Sequence, residues 1–260
     1  MVQRITVAPE QCKGTALVLT SEQAHYLIRV LRLRAGDRFI AQDGRGTQWL
    51  AVLKGHQLDR PPRQSSAKEA PQQAEIIETI QHVATTAPLQ LIAAPTKGNS
   101  FDQVVRQATE LGVTHIYPAI AERSVLKPSG NRRSRWQKIA AEAAEQSERV
   151  TIPEIFEPFP FLECLVQAHL EATEKDLRYL CGARTTNPHL LARLQANFSS
   201  ENLPSVTLAI GPEGGWTSGE ISDALRSGYE EVSLGPVILR AVTASITALS
   251  LVTAARNLLI

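Results

Sequence analysis

Two glycine turns carry most of the chemistry legible in this chain. The first, Gly211-Pro212-Glu213-Gly214-Gly215, cuts off the apolar run from Val206 to Ile210. The second, Gly235-Pro236, closes Glu231-Val232-Ser233-Leu234. Glycine leaves backbone N–H and C=O groups uncovered and lets a ligand approach the main chain. A strand that ends in such a turn and passes into a helix is where α/β proteins seat small molecules. One turn of this kind reads as an ordinary tight turn. Two at adjacent strand ends favour a single cofactor held mainly by main chain.

The elements around these turns have a clear rhythm. From Leu89 onward, strands alternate with helices. Strands are expected at Leu89–Ala94, His115–Ile120, Arg178–Cys181, Thr207–Ile210 and Glu231–Leu234. Helices are expected at Phe101–Leu111, stopped by Gly112, at Arg133–Glu148, and after Thr217-Ser218-Gly219-Glu220, where Ile221, Ala224 and Leu225 form the apolar face. This alternation predicts a mostly parallel sheet covered by helices. The last helix, Thr243–Leu259, is apolar nearly all round and must be buried, in part against a second subunit.

The first 85 residues read differently. Strands at Ala16–Leu19, Arg38–Ala41 and Gln48–Leu53 surround the hairpin turn Asp43-Gly44-Arg45-Gly46. A helix is expected from Ser21 to Arg34, with Thr20 and Gln23 as a capping box. On it, His25, Arg29 and Arg32 share one face, a ridge suited to RNA or an ordinary solvated surface. Residues 54–74 are polar and proline-bearing, a loop between strands, and a strand resumes from Ile76 to Val83. Thr85-Thr86-Ala87-Pro88 marks the domain boundary, giving domains 1–86 and 87–260.

Charge and composition narrow the class. Net charge is +1, so there is no global polyanion signal. Residues 1–86 nonetheless hold eleven Lys and Arg against eight Asp and Glu. Arg123, Lys127, Arg132, Arg133, Arg135 and Lys138 form a second basic run with no acid inside it, suited to phosphate or simply solvated. Three scattered cysteines without a CxxC pair argue against disulfides and a zinc site. No signal-peptide core or long apolar run is present, so the expected setting is cytoplasmic, with no membrane partner and no metal. The GxGxxG, P-loop, HExxH and GxSxG patterns are missing, which disfavours hydride and phosphoryl transfer.

Ile210-Gly211-Pro212-Glu213-Gly214-Gly215, with Leu234-Gly235-Pro236 and Ile238-Leu239-Arg240 before a Thr- and Ala-rich helix, resembles the RsmE family. So do His25 to Arg32 with Gly36-Asp37, Lys97-Gly98, Phe101 to Gly112, Glu122-Arg123-Ser124, and Arg135 to Ala140 with Glu142-Ala143 and Glu145-Gln146. Members of that family methylate N3 of a uridine in 16S ribosomal RNA with S-adenosylmethionine. The resemblance spans nearly the whole chain. It implies an α/β protein with an N-terminal PUA-like β-barrel domain that grips RNA and a C-terminal trefoil-knotted SPOUT methyltransferase domain. Two subunits would pack at the knot.

The resemblance also distributes roles. The cofactor would lie against Leu180 and Gly182, against Ile210, Gly211, Glu213, Gly214 and Gly215, and against Leu234, Gly235, Leu239 and Thr243. Arg240 would be the catalytic arginine, set at the uracil. Arg4, His25, Arg29, Arg32 and Arg123 would contact the RNA, with Arg29, Arg32, Arg123 and Arg240 making one basic track. Two positions depart from the family pattern: Val237 stands where an arginine is usual, and Val242 where a glutamate is usual. These departures keep open a catalytically idle RNA-binding assembly protein, or a SPOUT methyltransferase with another RNA target.

Overall fold

The computed structural model describes residues 2–55, 73–81, 87–96, 98–124, 132–172, 175–183, 186–199 and 203–259. Most of the polar loop of 54–74, the boundary residues Thr85 and Thr86, Lys97 and Lys127 lie outside the described residues. The chain divides into two compact units, residues 1–84 with 144–151, and residues 85–143 with 152–260.

The first unit is built on a six-stranded sheet. Its strands are β1 (Gln3–Thr6), β2 (Cys12–Lys13), β3 (Ala16–Val18), β4 (Arg38–Gln42), β5 (Thr47–Leu53) and β6 (Gln73–Gln81), in the order β1-β4-β5-β6-β3-β2. β1 runs parallel to β4, and the other neighbours are antiparallel. Alternation sets the core: Phe39 and Ala41 of β4 lie opposite Ala51 and Trp49 of β5, and Phe39, Ala41 and Ala51 are fully buried beside Leu17 and Leu27. The Asp43 carboxylate closes the β4–β5 turn by accepting from the amides of Arg45 and Thr47, at 2.7 and 2.9 Å. β1 was not anticipated, because its partner β4 lies more than thirty residues away.

The expected helix from Ser21 to Arg34 is shorter and broken. Thr20 and Gln23 form the capping box, Gln23 N–H donating to Thr20 Oγ1 at 3.2 Å and Thr20 N–H to Gln23 Oε1 at 2.9 Å. α1 (Ser21–His25) then widens into one π-helical turn, Tyr26–Val30. The chain leaves it through Arg32 at φ 58°, and the Leu33 amide closes the end on Leu27 O at 2.9 Å. His25, Arg29 and Arg32 therefore do not share a regular helical face.

The second unit carries a seven-stranded sheet in which every pairing is parallel. Its strands are β7 (Leu89–Ala93), β8 (His115–Ile120), β9 (Glu154–Ile155), β10 (Phe159–Pro160), β11 (Asp176–Gly182), β12 (Ser205–Ile210) and β13 (Glu230–Ser233). The order is β10-β8-β7-β12-β11-β13, with β9 alongside β8. β7 and β12 are buried at every position, as central parallel strands must be.

Helices cover both faces. α2 (Ser100–Glu110), α3 (Arg132–Gln146, the last three residues counted with the first unit), α5 (Leu190–Asn197) and α7 (Ala241–Asn257) pack over one core with Phe101, Trp136, Leu194 and Leu249. α4 (Phe161–Leu170) and α6 (Ser218–Arg226) cover the other, with Tyr117, Cys164, Leu180 and Ala224. Leu225, expected on the buried face of α6, is 49 % exposed. α7 buries a stripe rather than its whole surface: Ser245, Ala248, Leu249, Val252, Ala255 and Arg256 are buried, while Thr243 and Ala254 are exposed. The buried Arg256 guanidinium donates through Nη1 and Nη2 to the carbonyls of Ala87, Pro88 and Pro204 at 2.8–3.0 Å.

Two arginines of the basic run in the second unit pair with acids distant in sequence. Arg135 pairs with Asp102, which also accepts from the Trp136 indole at 3.2 Å. Arg133 pairs with Glu157 and donates to Ile155 O at 2.7 Å. These two guanidiniums brace α3.

Candidate active site

At the carboxyl ends of β11, β12 and β13, three loops enclose a cleft of about 530 Å³. The strand order reverses here, since the chain places β12 between β7 and β11 and returns to the outer side with β13. Such a reversal separates the loops and opens a crevice. Its size lies in the range of small-molecule pockets.

Each loop brings main chain to the cleft. Behind β11 come Cys181, Gly182 and Ala183, behind β12 come Ile210 to Trp216, and behind β13 come Leu234, Gly235 and Val237 to Arg240. The glycines have distinct reasons. Gly215 (φ 70°) and Gly235 (φ 130°) hold conformations that other residues rarely adopt. Gly211 gives room: a Cβ there would meet the Trp216 indole at 3.1 Å. At Gly214 a Cβ would meet Arg123 Cβ at 3.0 Å.

The β12 loop is held from outside. Arg123 donates through Nη1 to Gly214 O at 3.0 Å and Trp216 O at 3.3 Å. The Glu220 carboxylate completes the α6 capping box with Thr217 through Oε2, and through Oε1 accepts from the Glu122 amide at 2.8 Å. Trp216 stacks on Phe161 with ring centroids 4.2 Å apart. The glycine loop is therefore a fixed cradle.

The cleft is electrically two-sided. Arg240, exposed and without an ion pair among the described residues, is the N-cap residue of α7, whose first turn has no side-chain cap. Unpartnered amides and the helix dipole make this end favourable to negative charge. Glu231 stands on the cleft wall with Oε2 accepting from Asn187 Nδ2 at 2.9 Å. Burial pushes the Cys181 thiol up to about 12, so it lines the cleft as a neutral group at physiological pH.

The structure gathers Gly182, Ile210, Gly211, Glu213, Gly214, Gly215, Leu234, Gly235, Leu239 and Arg240 at this cleft, and Arg123 with them. It does not bring Leu180 or Thr243 there. Leu180 is fully buried in the core under α4 and α6, two residues before the strand end where Gly182 reaches the cleft. Thr243 is exposed on α7, where Ala241 and Ala244 face the cleft instead. Pro212, Trp216 and Ala183 were missed although they flank named glycines. Glu231 and Ile221 arrive from strand and helix interiors, and no local motif marks them.

Of the expected RNA contacts, Arg123 is engaged by loop carbonyls, and Arg4 is paired with Glu148. His25, Arg29 and Arg32 are exposed. Among the described residues no helix is long and apolar enough to cross a membrane, and no cluster of metal-binding side chains occurs.

An α/β sheet with a glycine-walled cleft at its reversal point and a separate small β unit define a nucleotide-handling protein of two parts. Residues 84–253 match the RNA methyltransferase domain and residues 19–57 the RNA methyltransferase PUA domain, so the chain belongs to the RNA methyltransferase family, with the SPOUT-type fold. Ribosomal RNA small subunit methyltransferase E from Synechocystis is 41 % identical over 256 residues, covering 98 % of this chain and 78 % of the relative. The protein of that name from Bacillus subtilis is 28 % identical, covering 93 % of this chain and 91 % of its own. A structure of ribosomal RNA small subunit methyltransferase E from Neisseria gonorrhoeae, bound to S-adenosylmethionine, superposes with a TM-score of 0.77 at 25 % identity, covering 99 % and 98 % of the two chains. A methyltransferase from Legionella pneumophila, also with bound S-adenosylmethionine, gives 0.79 at 26 % identity, with 98 % of each chain covered.

Proposed function

We propose that this protein methylates N3 of a uracil in 16S ribosomal RNA, using S-adenosylmethionine, in the cytoplasm and as a homodimer. The observation that carries this reading is the cleft itself: glycine main chain from two turns lines it together with Arg240, which has no ion pair among the described residues and stands at an uncapped helix start. The donor set fits the cofactor. Backbone N–H and C=O groups of the glycine turns suit the edges of adenine, Gly215 and Gly235 have open space where a Cβ would lie, and the Trp216 indole N–H is buried without a partner among the described residues.

When bound, S-adenosylmethionine supplies a methyl group on a positively charged sulfur. The chain must do the rest. Uracil N3 carries a proton and lies on the pairing edge, so the base has to be unpaired before it enters. As the imide loses that proton, negative charge spreads onto the carbonyl oxygens. Arg240 and the α7 amides are placed to stabilise that charge. The braced β12 loop holds the geometry needed for in-line displacement. Val242 packs against the core, so no carboxylate at that position takes the proton.

The exposed Arg29 and Arg32 of the first unit would hold RNA phosphates, with His25 beside them. The partly exposed flank of α7, with the apolar Ile246 and Leu251, and the exposed Val237 and Ile238 are the surfaces a second subunit would cover.

Mass spectrometry of 16S ribosomal RNA from cells with and without the protein tests the reading. Loss of one N3-methyluridine, restored by the wild-type gene, is the expected result. The idle RNA-binding alternative, motivated by Val237 and Val242, predicts unchanged methylation and no heat of binding with S-adenosylmethionine.

A further inference from the structure

We propose that Glu231 is a ribose-reading residue, whose carboxylate accepts hydrogen bonds from the vicinal diol of a nucleoside seated in the cleft. This rests on the cofactor reading above and assigns a side chain to a part of the ligand that the glycine turns do not select.

The argument begins at Gly182. Its φ is not in the left-handed region, so conformation does not require glycine there. Space does: a Cβ on Gly182 would lie 2.3 Å from Glu231 Oε1 and 3.1 Å from its carboxyl carbon. The carboxylate rests on the bare Cα of Gly182, where β11 ends at the cleft. β11 and β13 pair Leu180 with Glu231 and Gly182 with Ser233, so Glu231 shares the face of Gly182 and its side chain reaches one pleat along to it.

The carboxylate is also oriented. Oε2 accepts from Asn187 Nδ2 at 2.9 Å, which leaves Oε1 as the available acceptor. Its neighbour Glu230 behaves differently, pairing with Arg193 of α5. Two successive glutamates thus diverge: one is neutralised by a guanidinium, and the other lines the cleft with an amide as its partner.

A carboxylate held in this way suits a neutral diol. Vicinal hydroxyls can donate to one carboxylate oxygen without any cation, and this is how nucleotide-binding α/β proteins commonly recognise ribose. Glu231 lies on β13, the strand that ends in the Gly235 turn, and a nucleoside attaches its diol-bearing ring directly to the base. The same cleft also holds Arg240 and the start of α7, which favour anionic groups, so its charged side chains differ in the ligand groups they prefer.

Calorimetry on the full chain tests the assignment with three probes: S-adenosylmethionine, 5′-deoxy-5′-methylthioadenosine, and the 2′-deoxy form of the latter. Wild type should prefer the ribose over the 2′-deoxyribose probe. Glu231→Ala should abolish that preference and weaken the two ribose ligands alike, by about tenfold. Gly182→Ala, which displaces the carboxylate while retaining its charge, should reduce the same preference. Because the preference is a ratio measured within each protein, a general loss of stability does not mimic it. A loss confined to S-adenosylmethionine, with methylthioadenosine unchanged, would assign Glu231 to the amino-acid ammonium and overturn the proposal. An unaltered preference in Glu231→Ala would overturn it as well. If the wild type bound none of the three, the cofactor reading itself would fall with it.

Discussion

Arginines in the two units differ, Arg4 with its Glu148 partner apart. In the first, Arg29 and Arg32 stand exposed around a broken helix, one of them on a left-handed backbone. In the second, Arg123, Arg133, Arg135 and Arg256 are engaged by carbonyls and carboxylates that fix loops and helices. Arg240 belongs to the second unit and yet remains unpaired. The difference teaches that a run of basic residues does not measure readiness to bind nucleic acid. What counts is whether a guanidinium already has a partner, since an engaged one must break hydrogen bonds before it can hold a phosphate.

Variants can break this contrast. The largest effect is expected for Arg240→Ala, which should lower the rate of methyl transfer about a hundredfold or more while cofactor affinity stays nearly intact. Single-turnover transfer assays and calorimetry read the two quantities. Equal collapse of both would place Arg240 at the cofactor instead. Arg123→Ala should do the reverse. By releasing the β12 loop it should weaken S-adenosylmethionine binding up to about tenfold, with the salt dependence of RNA binding unchanged. A reduced salt slope would return Arg123 to the RNA.

Removal of Arg29 or Arg32 should weaken RNA binding several-fold. The slope of log affinity against log salt should shrink by about one for each arginine removed, with no effect on the cofactor. The smallest and sharpest test is Arg32→Gly. Relief of a left-handed non-glycine conformation should stabilise the protein by about 1 kcal/mol, read by thermal melting, while RNA affinity falls. A variant that gained stability and kept full RNA affinity would show that Arg32 is not a contact.

Much of the second unit was legible because its signals are local and strong. His115–Ile120 reads as a strand from its apolar run, and Phe101, Val104, Val105 and Ala108 form a helical stripe that the structure buries in α2. The Thr217–Glu220 and Thr20–Gln23 boxes announce their helix starts, and both form. The first unit was harder to read. β1 finds its parallel partner β4 across a helix, and residues 144–151 count with this unit although they follow most of α3 in sequence. The end of the first helix was misread because its apolar spacing continues to Leu31, while the backbone has already widened into a π turn.

By itself the sequence determined where backbone would be laid bare, since glycine and proline act on their own residues and immediate neighbours. It also determined which segments alternate as strand and helix, because side-chain periodicity is a local property. Only the tertiary structure decided which charges are neutralised, which face of β11 turns Leu180 inward, and that Glu231 rests on Gly182. Those outcomes depend on contacts between residues far apart in sequence, and no local spacing encodes them.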